Sequence, residues 1–135
     1  MGTRSLTRVI EEYNYGADEV ITVMYRQYDG YPSGHGMELA EFLDGMVVVN
    51  GIGMTENRKI ANGMGCLAAQ LVSHFKDGPG GIYLYNPSAT DCGQEYEYEL
   101  KNDGDTLNIR VIDTWDKKII FDGGIEDFKS FCNEN

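Results

Sequence analysis

Four segments in the second half of the chain have the composition of β-strands, and only short polar turns separate the last three of them. A connection of a few residues can join antiparallel strands, whereas parallel strands need a crossover of about a dozen residues or more. The sequence therefore predicts a mainly antiparallel sheet. The predicted strands are 81–86 (GIYLYN), 94–101 (QEYEYELK), 106–114 (TLNIRVIDT) and 117–122 (KKIIFD), and the turns contain NDGD and WDKK.

The segment QEYEYEL has the clearest alternation of apolar and acidic residues in the chain. Successive side chains of a strand point to opposite faces of the sheet. Tyr96, Tyr98 and Leu100 are therefore predicted to face the core, and the glutamates that alternate with them are predicted to face water.

The remaining segments predict two more strands and three helices. A spacing of four, three, four and four residues between the apolar positions from Ile60 to Phe75 is typical of a helix. Residues 46–54 fit either a buried strand or a helix extension, and Thr55 is placed to cap the next helix. The predicted strands are 3–11 and 19–28, and the predicted helices are 36–45, the segment that begins near Ile60, and 125–132.

This order of elements predicts an α+β fold. We expect a mainly antiparallel sheet with two central helices and a short C-terminal helix. A length of 135 residues fits a single domain, 1–135.

Composition restricts the kinds of partner that the chain can have. The net charge is −11, whereas proteins that bind DNA or RNA polymers generally are basic. No apolar run is long enough to span a membrane, and the N-terminus lacks the apolar region of a signal peptide. The three widely spaced cysteines suit a reduced, cytoplasmic protein, and neither histidine has a neighbouring set of metal ligands, so we expect no metal and no cofactor.

The stretch YRQYDGYPSGHG, residues 25–36, is unusual for a scaffold because it combines aromatic, charged and glycine residues. Aromatic faces stack on a purine, and a guanidinium holds phosphate. Carboxylate and hydroxyl groups hold ribose. The stretch therefore fits either a binding loop for an anionic, base-bearing ligand or an ordered turn with satisfied polar groups. The candidate ligand contacts are Arg26, Tyr28, Asp29, Tyr31, Ser33 and His35.

Four residues farther along the chain are further candidates for this site. Phe75 precedes a glycine-rich turn that leads towards the strand ending at Asn86, and Thr90 lies in the polar loop that follows. Arg110 lies in the middle of a predicted strand, where it either holds phosphate or pairs with a neighbouring glutamate. His35 as a catalytic base is the less favoured alternative, because no orienting partner or nucleophile can be named for it.

A second candidate site lies near the predicted start of the central helix. Gly63 and Gly65 interrupt the helical pattern, which costs about 1 kcal/mol each relative to alanine. Either another backbone packs closely against them, or the helix begins there and presents N–H groups to an anion. Arg58, Lys59, Asn62 and Gly63 are the candidates for such a site.

Three quoted segments resemble one known family: MGTRSLT, then YRQYDGYPSGHG leading into MELAEFLDG, and then NGIG followed by ANGMGCLAAQLV. They resemble phage-encoded Thoeris anti-defence sponge proteins. The resemblance covers most of the chain and is densest in its N-terminal part.

The resemblance implies a protein that binds and sequesters cyclic ADP-ribose isomers made by bacterial TIR-domain proteins, in the cytoplasm of the host cell. It implies that the signal is not cleaved, so the chain is not expected to be an enzyme. It also implies homodimers with ligand pockets near the protomer interface. In some members it implies hexamers that hold cyclic trinucleotides at a separate site.

Two alternatives of other classes remain. The first is an enzyme that degrades a nucleotide signal, which would require a general base or a metal. The second is an acidic inhibitor that docks on a host protein. Such an inhibitor could also act by mimicking nucleic acid, but distributed acidic residues with interspersed basic ones favour a mimic less than a dense acidic stripe would.

Overall fold

The computed structural model describes residues 2–12, 17–49, 59–103 and 106–135. Three α-helices occur in these ranges, with a π-helical turn at Pro32–Gly36 that leads directly into the first: α1 (Met37–Leu43), α2 (Gly63–Phe75) and α3 (Ile125–Glu134). None of these helices has the length and apolar character needed to cross a membrane. The strands are β1 (Ser5–Glu11), β2 (Glu19–Arg26), β3 (Val47–Val49), β4 (Ile60–Asn62), β5 (Ile82–Tyr85), β6 (Tyr96–Asp103), β7 (Thr106–Asp113) and β8 (Lys118–Gly124).

Six of the strands form one sheet in the order β5-β2-β1-β6-β7-β8. The consecutive strands β6, β7 and β8 pair antiparallel, as their short turns predict. The pairs β1–β2 and β2–β5 are also antiparallel, and only β1 and β6 run parallel. The prediction of an α+β fold with a mainly antiparallel sheet, two central helices and a C-terminal helix is confirmed.

The helices cover one face of this sheet, which we call the helical face. Tyr98 and Leu100 of β6 are fully buried there, as the alternation predicts, and Phe128 of α3 packs against the ring of Tyr98. The other face is not simply solvated. Glu97 was predicted to face water, but its side chain is only 17% exposed because it forms an ion pair with Arg8 of β1.

The central helix begins at Gly63 and not near Ile60, which is one of the two alternatives that Gly63 and Gly65 left open. Residues 60–62 form a short strand parallel to β3, and α2 begins only at Gly63. Gly63 has a φ of +81°, a conformation that side chains rarely adopt, so the chain turns there before the helix starts. The strand alternative is found for Val47–Val49. The proposed Thr55 cap lies outside the described residues.

Tyr98 connects the core to the loop after β2. Its hydroxyl donates a hydrogen bond of 2.7 Å to the carbonyl oxygen of Gly30. We expect Tyr98→Phe to lower the free energy of unfolding by about 1–2 kcal/mol, because the buried carbonyl loses its partner. Chemical denaturation measures the loss, and Tyr85→Phe, at an exposed ring on β5, is the matched control. Equal stability of the two variants would contradict the importance of this bond.

Candidate functional site

A cavity of about 980 Å³ opens on the helical face beside the end of β2. Its wall is formed by residues that follow β2, by α1, by the end of α2 and by the turn before β5. The volume lies within the range of about 300–1,000 Å³ that is usual for small-molecule sites.

Arg26, the last residue of β2, extends into this cavity. Its Nε donates to the carbonyl oxygen of Tyr28 at 2.7 Å, and its Nη1 donates to His35 Nδ1 at 3.2 Å. The same Nη1 forms an ion pair with the carboxylate of Glu38 on α1. The guanidinium also lies 5.9 Å from the centre of the Phe75 ring. Three acceptors and one aromatic ring therefore fix the position of the cation.

His35 is fully buried behind Arg26 and is not part of the cavity wall. Arginine can only donate hydrogen bonds, so His35 Nδ1 must be the acceptor and Nε2 must carry the proton. Nε2–H then donates to the hydroxyl oxygen of Thr7, 2.8 Å away on β1. Burial, together with the adjacent Arg26 charge, lowers the pKa of His35 to about 3. The ring is neutral at physiological pH, and its role here is to hold Arg26.

The loop reaches this arrangement because its glycines allow very close contacts. A Cβ atom on Gly34 would lie 2.5 Å from the carbonyl oxygen of Asp29, and one on Gly30 would lie 2.8 Å from Ser5 Cβ. The amide of His35 donates to that Asp29 carbonyl at 2.7 Å. Asp29 itself has a φ of +59°. The loop therefore folds back tightly and places His35 under the sheet residue Arg26.

Three rings form an aromatic wall in the cavity. Phe42 of α1 lies 4.7 Å from His74 and 6.3 Å from Phe75, measured between ring centres. His74 and Phe75, neighbours at the end of α2, are 5.1 Å apart and nearly perpendicular. Rings arranged in this way offer faces and edges against which a planar base can pack.

The charges of the cavity wall are mixed. Four carboxylates line it, from Asp29, Glu38, Glu41 and Asp77, against the two cations Arg26 and Lys59. Lys59 Nζ donates to two backbone carbonyl oxygens at the end of α1, at 3.1 and 3.3 Å. An anionic ligand would require a locally positive surface, and among the described residues only these two cations supply it.

Five of the residues proposed from the sequence meet at this cavity. Arg26, Tyr28, Asp29, Phe75 and Lys59 line it. Tyr31 and Ser33 are exposed on the same loop but do not contribute to its wall. Sequence reasoning missed Phe42, His74 and Glu38, which also line the cavity.

The other three candidates lie away from the cavity. Asn86 accepts hydrogen bonds from the amide and hydroxyl of Ser88, which closes a local turn. The carbonyl of Thr90 accepts from Arg8 and Gln94. Arg110 lies on the face of the sheet opposite the helices.

Arg110 has carboxylate partners there. Its nitrogens lie 3.7 Å from Glu99 and 3.4 Å from Asp122. This is the pairing that the sequence left open as the alternative to phosphate binding. The assignment of Arg110 as a ligand contact stays a prediction, and Arg110 does not line the cavity.

The second candidate site is described only in part. Arg58 lies outside the described residues, and Lys59 belongs to the cavity already described. Asn62 precedes the helix without capping it through its side chain. Among the described residues, nothing lies within 4 Å of a Cβ added at Gly63 or Gly65, so close packing within the chain does not explain these glycines.

The described residues contain no group of three or more histidine, cysteine or acidic side chains that could hold a metal ion. No protein-family model, curated protein or solved structure matches this chain. The functional conclusion therefore rests on the geometry of the cavity and on the resemblance of the quoted segments.

Proposed function

We propose that this chain binds a cyclic ADP-ribose isomer and retains it intact, as a phage anti-defence sponge of the Thoeris type. The observation that supports this function is the meeting of Arg26 with an aromatic wall in one cavity of about 980 Å³. The ligand carries an adenine, two riboses and a pyrophosphate, and it needs both kinds of contact within a short distance.

Each part of the ligand has a partner in the cavity. Adenine packs against the rings of Phe42 and Phe75, as bases stack on aromatic side chains in other nucleotide sites. The pyrophosphate binds Arg26 and Lys59 through charge-assisted hydrogen bonds. Tyr28 at the rim, half-exposed, covers the ligand, and the Asp29 carboxylate accepts hydrogen bonds from ribose hydroxyls.

A sponge acts through affinity alone. Nanomolar binding corresponds to about −12 kcal/mol, which is reached more easily when few groups must be ordered on binding. Arg26 is already held by His35 and by the Tyr28 carbonyl before a ligand arrives. This preorganisation favours tight retention. The proposals of a homodimer or hexamer, and of a separate cyclic trinucleotide site, rest on the resemblance alone.

The test is a retention experiment. Purified protein is mixed with excess cyclic ADP-ribose isomers, washed, and denatured by heat, and the released molecules are identified by chromatography and mass spectrometry. We expect about one equivalent of intact ligand per binding site. Conversion of more than one equivalent to an altered product would show a signal-degrading enzyme instead. A folded sample that releases no ligand would contradict both functions and favour the inhibitor of a host protein.

A further inference from the structure

The hydrogen bonds of Arg26 leave its guanidinium only partly available to a ligand. An arginine has five N–H groups. One on Nε is taken by the Tyr28 carbonyl, and the two on Nη1 are taken by His35 and Glu38. Nη2 makes no hydrogen bond to any residue that the structure describes. Paired binding of a phosphate through Nη1 and Nη2 therefore requires one acceptor on Nη1 to leave.

Of the acceptors around Arg26, only Glu38 can leave easily. The Tyr28 acceptor is a backbone carbonyl, and His35 is fully buried and bonded on both ring nitrogens. The Glu38 side chain is 53% exposed, so a change of rotamer brings its carboxylate into water. The Arg26 side chain, in contrast, is only 16% exposed and would be a costly unpaired charge if nothing replaced the carboxylate.

We propose that the Glu38 carboxylate is a placeholder for the anionic group of the ligand. In the empty cavity it neutralises Arg26, and a phosphate group of the ligand displaces it and takes both Nη1 and Nη2. An uncharged ligand cannot displace it, so Glu38 makes the site selective for anions. The identity of the anion as a nucleotide pyrophosphate rests on the proposed function, but the exchange at Arg26 does not.

The experiment compares Glu38→Gln with Glu41→Gln, using inorganic pyrophosphate and adenosine as probes. Both variants remove one negative charge from α1 and from the same cavity wall, but only Glu38 contacts Arg26. We expect Glu38→Gln to bind pyrophosphate about threefold to tenfold more tightly than the wild type, as release of a partly exposed ion pair suggests. We expect Glu41→Gln to change the affinity for pyrophosphate by less than about twofold. The affinity for adenosine should stay unchanged in both variants.

Equal gains in pyrophosphate affinity in the two variants would overturn the proposal, because the loss of any negative charge from the cavity wall would then explain them. No gain in Glu38→Gln, or an equal gain for adenosine, would overturn it as well. Wild-type protein that fails to retain cyclic ADP-ribose, while Glu38→Gln still gains affinity for pyrophosphate, would remove the sponge function and leave the placeholder standing.

Thermal unfolding of each variant shows whether it is folded. If Glu38→Gln does not fold, Glu38→Asp replaces it, since the shorter side chain withdraws the carboxylate from Arg26 and keeps the net charge. We then expect tighter pyrophosphate binding than in the wild type although no charge has been removed. Unchanged or weaker binding in Glu38→Asp would overturn the proposal.

Discussion

Arg26→Gln is expected to weaken the proposed binding of cyclic ADP-ribose by about 100-fold or more. A hydrogen bond to a charged group contributes about 1.5–3 kcal/mol, and each 1.4 kcal/mol is a factor of about ten in affinity. Glutamine removes a cation that three acceptors fix inside the cavity. Calorimetric titration of the purified variant measures the loss.

The informative comparison is Arg110→Gln, because the sequence alone suggested both arginines as phosphate ligands. Arg110 lies on the opposite face of the sheet and pairs with Glu99 and Asp122. We therefore expect its replacement to change affinity by less than about threefold, as for other exposed ion pairs. Arg26→Lys should recover only part of the binding, because an ammonium lacks the planar fork. A strong loss in Arg110→Gln with little loss in Arg26→Gln would show that the ligand binds elsewhere.

The fold class was predictable because its signals are local. The alternation through Tyr98 and Leu100 and the helical spacing of Met64, Leu67 and Leu71 each follow from the period of one element. Short turns then fix antiparallel pairing between consecutive strands. These features need no information about distant parts of the chain.

The features that the sequence did not predict depend on distant residues. The parallel pairing of β1 with β6 joins segments about 90 residues apart, for example Ser5 with Tyr96. No local pattern specifies such a partner. Arg110 lies between Ile109 and Val111, which are fully buried, but which face of the sheet the helices cover is decided only by the assembled core.

Prediction of the site residues from the sequence was limited in the same way. The sequence placed Arg26, Tyr28 and Asp29 near one another because they are nearly adjacent, and the structure brings them to one cavity. His35 looked like a ligand contact, but its burial depends on Thr7, Phe75 and Tyr98, which come from three other elements. Glu38 was unremarkable in the sequence, since only the fold shows that it faces Arg26.

The stability of the protein is expected to fall steeply in acid because of His35. Burial and Arg26 lower the pKa of this histidine to about 3 in the folded state, against 6.5 for the free side chain. The unfolded chain therefore binds more protons than the folded protein between these two values. The contribution of His35 to the free energy of unfolding is fully present above pH 6.5 and is lost as pH falls towards 3. From pH 7 to pH 4 the loss amounts to about 3 kcal/mol.

The measurement is the free energy of unfolding as a function of pH in the wild type and in His35→Gln. Glutamine can accept a hydrogen bond from Arg26 and donate one to Thr7 without titrating. The pH dependence of stability in this variant therefore retains the contribution of every carboxylate and lacks only that of His35. We expect the wild-type curve to be steeper by up to about 1.4 kcal/mol per pH unit below pH 6.5. NMR should show the His35 ring still neutral at pH 5. Parallel curves, or a ring protonated at that pH, would mean that His35 is not the buried neutral support on which the position of Arg26 depends.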